Sequence, residues 1–215
     1  MTNPAKTPET APAHERVYRV LRHRIMHGEL PPGNALTLRG IGTVFGVSMT
    51  PAREAVRRLV AEGALTLSAS GRVSTPEIGN ERIEELAAIR ALLEPELASR
   101  ALPRAYPALI DRLGSINSSV DQMVVKQDAS GYIRANLEFH RTLYLRAQAP
   151  AMLAMIETVW LQLGPTMRQL YSRMQNSGRL GHHRAILAAL KTGDEAALVL
   201  AVRQDVTQGL RMLAA

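Results

Sequence analysis

His140, His183 and Asp205 are the residues whose types and spacing most resemble a metal site. Each falls on the apolar stripe of a helical segment. His140 is in register with Ile133, Leu137 and Tyr144, and Asn136 sits one turn before it. His183 shares a face with Ile186, Leu187 and Leu190, and Asp205 follows Leu198, Ala201 and Val202 and precedes Gly209. Residues three or four apart share a helix face, so three helices each turn a polar group toward an apolar interior. Burying an unpaired carboxylate is costly, so Asp205 needs a cation, a hydrogen-bond partner or a changed protonation state. A divalent ion held by His140, His183 and Asp205, with Asn136 or water completing the shell, satisfies all of them. Such nitrogen and oxygen ligands suit Zn, Ni or Mn. A metal-free pocket, in which the same groups hydrogen-bond one another or an effector, is the competing reading.

A second constellation is made of arginines. Arg53 and Arg57 lie one turn apart, away from Val56 and Val60 on the same helical segment. The start of that segment presents Ser48, Thr50 and free backbone N–H groups, which suit phosphate oxygens. An arginine near the start of such a helix can pair bidentately with guanine in the major groove. Arg39, on the preceding helix, and Arg72, beyond a Gly71 turn, flank it with further contacts. Arg90 is a third case, in register with Leu86, Leu93 and Leu97. Its ordinary role is an ion pair with Glu94 on the next turn, worth a few tenths of a kcal/mol if exposed. His182 reads as a rim residue.

The elements that must position these groups are legible from periodicity and breakers. The segment 14–27 carries one apolar face, ended by Gly28 and Pro31-Pro32-Gly33. A short helix closes at Gly46. Thr50 as cap and Pro51 as first residue then open the helix bearing Arg53. Leu65 to Ser68 alternates, Ser70-Gly71 turns, and Val73 begins a return strand. Helix, helix, turn, helix and ribbon make a winged helix-turn-helix over 14–76, preceded by a proline-rich disordered tail over 1–13. From residue 77 to 215 the pattern is an all-α antiparallel six-helix bundle, with helices over 80–101, 105–126, 129–148, 150–175 (kinked at Pro165), 179–191 and 194–213.

Composition agrees. The chain has 215 residues, 23 Arg and 3 Lys against 19 acids, and no Cys. Any metal must therefore use His, Asp or Asn, and disulfide frameworks, zinc ribbons and cysteine nucleophiles are excluded. Residues 1–76 carry ten Lys/Arg against five acids, net +5, whereas residues 77–215 carry 16 against 14, net +2. The positive surplus thus sits on the winged segment, as a polyanion reader requires. Two Phe, one Trp and five Tyr are too few for a base-stacking platform. No leader is visible, and the longest apolar run, 196–202, is too short to span a bilayer, so the chain reads as cytoplasmic.

The alternative from another class is a helical metal-dependent enzyme with a nucleic-acid-binding appendage. The chain has no His-Glu-x-x-His helix, Walker loop or Gly-x-Ser-x-Gly elbow. An architectural DNA binder without an effector is a third reading, against which the interior polar residues argue.

The run Val17 to Ile25, then Gly28-Glu29-Leu30-Pro31-Pro32-Gly33, Phe45-Gly46-Val47-Ser48, Thr50-Pro51-Ala52-Arg53-Glu54-Ala55-Val56-Arg57-Arg58-Leu59 and Ala61-Glu62-Gly63, resembles the DNA-binding domain of the GntR family of bacterial transcription regulators. Arg-Ala-Leu-Leu-Glu-Pro-Glu-Leu-Ala at 90–98, with Phe139-His140, is similar to the FCD sensing domain of the FadR-type subfamily. The resemblance implies DNA contacts by Arg39, Ser48, Thr50, Arg53 and Gly71. Met49 departs from the pattern, standing where many members have a polar or basic residue. It also implies a metal site built from an Asp four residues before a His, then two further His. Here Asn136 replaces the Asp and Asp205 replaces the final His. A homodimer on a pseudo-palindromic double-stranded operator, repressing until a small carboxylate effector binds, is the implied function, with Arg90 as the carboxylate clamp.

Overall fold

Val17, Leu21 and Ile25 recur every four residues, and burial of that stripe makes α1 (Ala13–Met26) the spine of the N-terminal unit. The computed structural model, which describes residues 11–68, 70–177 and 183–214, packs α1 against α3 (Met49–Ala61) through Ala52, Ala55, Val56 and Leu59. Between them lies α2 (Leu38–Phe45). It starts where the Thr37 side chain accepts the Gly40 N–H and stops at Gly46 in the left-handed region. The start of α3 differs from expectation. Ser48 holds the capping position, while Thr50 and Pro51 are the second and third helical residues. Pro51 is tolerated there because the first four N–H groups of a helix have no acceptor within it.

The ribbon has three strands where the sequence suggests two. β1 (Ala35–Leu36) and β2 (Thr66–Leu67) both pair antiparallel with β3 (Val73–Ser74), in the order β1-β3-β2. At the wing tip Gly71 has φ 80°, a conformation that side chains disfavour. The Ser68 and Gly71 amides close the turn on the Arg72 and Ser68 carbonyls.

Seven α-helical segments follow among the described residues. They are α4 (Asn80–Ala101), α5 (Pro107–Val125), α6 (Ala129–Tyr144), α7 (Pro150–Leu163), α8 (Met167–Ser177), α9 (His183–Thr192) and α10 (Glu195–Ala214). α10 lies along α4, α5 along α6, and α9 against both α5 and α10. The helix expected over 150–175 is divided into α7 and α8 by a 3-10 turn at Gly164–Thr166. Pro165 supplies no N–H to continue the ladder. The same turn docks the reader. A Cβ on Gly164 would fall inside the Ile25 carbonyl and 2.8 Å from Met26 Cα, and one on Gly28 would lie 3.0 Å from the Gly164 oxygen. The two units therefore meet backbone to backbone, and Gln162 Nε2 adds a hydrogen bond to the Glu62 carbonyl at 3.0 Å. The expected His182 rim position, the Gly178 break and most of the tail lie outside the described residues. Among those residues no helix is long and apolar enough to cross a membrane.

Candidate functional site

The apolar stripes of α6, α9 and α10 converge, and they carry the three expected ligands with them. His140 and His183 are buried, and Asp205 is nearly so. His140 Nε2 lies 2.9 Å from Asp205 Oδ2, and one ligand atom from each of the three residues falls within 4.8 Å of the others. The His140–Asp205 contact has the length of a hydrogen bond but not its alignment. The His183 ring stacks on Phe139 at 3.8 Å, nearly parallel, and meets His140 edge-on at 5.2 Å.

Outer partners set which imidazole nitrogen faces inward. Tyr144 OH donates to Glu94 Oε2 at 2.9 Å, so the phenol offers His140 only its lone pair. His140 Nδ1, 3.1 Å from that oxygen, must then be the protonated nitrogen. Similarly, His183 Nδ1 is 3.2 Å from Asn117 Oδ1, which can only accept. Both rings thus turn Nε2 toward the carboxylate, the orientation that outer-shell partners impose on metal-binding histidines. Burial alone would raise the Asp205 pKa. The His140 contact and the positive fields of His140, His183 and Arg90 instead hold it well below the usual carboxylate range.

Behind His140 stands a buried network centred on Glu94. Glu94 is fully buried and accepts from Arg90 Nε and, at 3.1 Å, from Trp160 Nε1 through one oxygen, and from Tyr144 through the other. The Arg90–Glu94 pair on successive turns is therefore present, but inside the bundle instead of on its surface. The two terminal nitrogens of Arg90 make no hydrogen bond among the described residues. Asn136 is half-buried and likewise makes no hydrogen bond to the cluster among those residues. Sequence reasoning missed Glu94 as a hub, Tyr144 and Trp160 as donors, and Asn117 as the His183 partner. Asn117 did carry a signal, a polar residue in register with Leu109, Leu113 and Val120.

The arginine constellation is built in the opposite way. Arg39 on α2, Arg53 and Arg57 on α3, and Arg72 at the wing are exposed, and among the described residues their side chains make no ion pair or hydrogen bond. Ser48 and Thr50 are exposed at the start of α3, and the Ser48 hydroxyl does not cap its helix. Met49 is exposed beside them, and nothing lies within 4 Å of a side chain added at Gly71. The neighbouring Arg58 contrasts with these. It pairs with Glu15 at 3.0 Å and Glu62 at 3.3 Å, and its guanidinium sits 3.6 Å above the Tyr18 ring. Burial, then the Tyr18 bond to Glu62, pushes the Tyr18 hydroxyl up to about 12, so it remains a donor.

Two family models match the chain. "Bacterial regulatory proteins, gntR family" covers residues 13–73, and "FCD domain" covers residues 85–208. The HTH-type transcriptional regulator McbR of Escherichia coli (strain K12) is 31% identical over 179 residues, which are 81% of this chain and 80% of that protein. The gluconate operon transcriptional repressor of Bacillus subtilis (strain 168) is 28% identical over 212 residues, 94% of this chain and 85% of that one. The solved structure of E. coli McbR/YncC superposes with a TM-score of 0.86 at 28% identity, covering 95% of this chain and 98% of that one.

Proposed function

The chain belongs to the bacterial GntR family of transcription regulators, of the FadR type with an FCD domain, and from that premise we propose how its parts divide the work. It is a DNA-binding regulator and not an enzyme, so the helical metalloenzyme alternative falls away. Residues 14–76 act as the reader and residues 77–215 as the sensor and dimerisation unit. Arg53 reads bases near the start of α3. Arg39, Ser48, Thr50, Arg57, Gly71 and Arg72 hold phosphates or flank the groove. The two-fold operator of such a reader calls for a homodimer, and a cytoplasmic location follows from its target. The B. subtilis relative is named a repressor, which favours repression here.

The sensor reading rests on one observation: both buried imidazoles turn Nε2 onto the Asp205 carboxylate. A buried carboxylate needs positive charge beside it, and an ion held among the three residues supplies that charge with both rings neutral. At bond lengths of about 2.0–2.2 Å the ligands of one ion lie within roughly 4.4 Å of each other, so the 4.8 Å spread is slightly open. The donor types suit Zn, Ni or Mn, with His140, His183 and Asp205 as ligands once the cluster closes by a few tenths of an ångström, and Asn136 or water completing the shell. A bound ion would supply a Lewis-acid contact for an effector carboxylate. Arg90 fixes Glu94 through Nε, and its terminal nitrogens remain for the same carboxylate. An effector bound there acts only if it favours one arrangement of reader and sensor over the other.

Metal analysis of protein purified without chelator tests the sensor reading. Stoichiometric metal, or a rise in melting temperature on adding Zn, Ni or Mn, is expected; neither appearing rejects the metal. A footprint near its own gene tests the reader. A protected two-fold site is expected, and none at any protein concentration rejects the operator reading.

A further inference from the structure

A cavity outside the His140–His183–Asp205 set lies between reader and sensor, sharing only Trp160 with the Glu94 network. It is a cleft of about 760 Å³ walled by α1 of the reader and by α5, α6 and α7 of the sensor. That volume is in the range of small-molecule sites. Five arginines line it against three glutamates. Most of the charge is matched. Arg24 pairs with Glu29 at 3.3 Å, and Arg141 with Glu157 at 2.8 Å, while Arg22 reaches Glu157 at 3.7 Å. The remaining two arginines, Arg112 and Arg134, make no ion pair or hydrogen bond among the described residues, and the remaining glutamate, Glu138, makes none either. The lining carries two more arginines than acids.

Two imidazoles lie on the same wall. They are His23 and His27, with ring centroids 4.0 Å apart and planes tilted by 49°. Burial first, then the neighbouring His23, holds His27 down at about 4, and Arg134 pushes in the same direction. His23 is lowered as well, by burial and by Arg134 against the pull of Glu29. His27 is therefore neutral near pH 7, with its Nδ1 2.7 Å from the His23 carbonyl oxygen. Leu137, Leu145 and Trp160 supply an apolar floor.

We propose that this cleft is a second effector site, for a small organic dianion whose carboxylate or phosphate groups pair with Arg112 and Arg134 while its apolar body rests on Leu137 and Trp160. The site has a route to DNA binding. Arg22 bridges Glu157 of the sensor to Glu62 at 3.6 Å, and Glu62 holds Arg58 at the end of α3. An anion in the cleft competes with Glu157 for Arg22 and Arg141, loosening the ion pairs that tie reader to sensor. Free arginines with two walls from different units make occupancy and domain position mutually dependent.

Calorimetric titration with adipate, citrate and fructose 1,6-bisphosphate tests it on full-length wild type, on Arg112→Gln/Arg134→Gln and on His140→Ala. The dicarboxylate and phosphate arms separate the two anion chemistries. Binding of at least one probe to wild type and to His140→Ala is expected, weakened about tenfold or more in the double arginine variant. Because both arginines are exposed, the double variant keeps the wild-type melting temperature. The bound probe also shifts operator affinity in wild type and not in that variant. Binding by none of the probes overturns the proposal, as does equal binding by the double variant. Binding lost in His140→Ala but kept in the arginine variant assigns the ligand to the bundle interior and overturns it too, while leaving the metal reading intact.

Discussion

Arg53 on α3 and Arg90 on α4 are the same residue on the same kind of helix, yet their surroundings are opposite. Arg53 is exposed and makes no ion pair or hydrogen bond among the described residues. Arg90 is buried and tied to a carboxylate that Trp160 and Tyr144 also engage. Water solvates a surface guanidinium at little cost, so the reader can keep charge in reserve for a phosphate or a guanine. A buried one must be neutralised where it stands, because an unpaired charge in a low-dielectric interior is costly. The reader's site is a surplus of exposed charge, whereas the sensor's is a buried network in which a carboxylate neutralises the guanidinium.

That contrast is tested most severely at Glu94. Glu94→Ala removes the acceptor of three donors and leaves Arg90 buried without a counter-ion, and a loss of about 3–5 kcal/mol in urea denaturation is expected. A loss near that of an exposed pair would show that Glu94 is not what neutralises Arg90. Arg53→Ala should do the reverse. Stability stays within about 0.5 kcal/mol, while operator binding by fluorescence anisotropy weakens by about 1–3 kcal/mol. Unchanged affinity would remove Arg53 from the groove.

Tyr144→Phe sharpens the sensor side. It deletes the hydroxyl that orients His140, so about 1 kcal/mol of stability and about tenfold in metal affinity should go. Metal affinity equal to wild type would mean that packing alone orients the ring. The smallest effect belongs to pH. His27 titrates at about 4 when folded against an ordinary 6.5. Above 6.5 it is neutral in both states and contributes nothing. Between 6.5 and 4 the unfolded chain takes up a proton that the folded one refuses, so stability falls as pH falls. The loss is under about 1 kcal/mol at pH 6. His27→Gln should flatten the denaturation midpoint across that window, and an unchanged slope would assign it to other groups.

Much of the reader was legible because its signals are local. The Gly46 stop, the exposed Arg53–Arg57 pair and the Gly71 turn each depend on residues within about one helical turn. Even so, the α3 cap was misplaced by two residues, since Ser48 and Thr50 are both good caps and a first-turn proline fits after either. β1 was invisible, being a two-residue strand defined only by its pairing with β3. In the sensor, the register of His140, His183 and Asp205 with their apolar neighbours placed them inside. Asn117 met the same criterion and was passed over, because nothing local shows that its partner is a histidine.

What the sequence by itself determined was which faces turn inward, where helices start and stop, and which third of the chain holds the surplus charge. Those follow from helical period, capping chemistry and residue count. Only the tertiary structure decided which groups meet. Tyr144 reaches Glu94 across 50 positions, and Trp160 to Glu94 and His183 to Asn117 each span 66. Such contacts depend on the angle and spacing at which helices pack, set by many side chains at once. The backbone contact of Gly164 with α1, which seats the reader against the sensor, is of the same kind. A glycine in the sequence says that a side chain is absent, and only the fold shows what took its place.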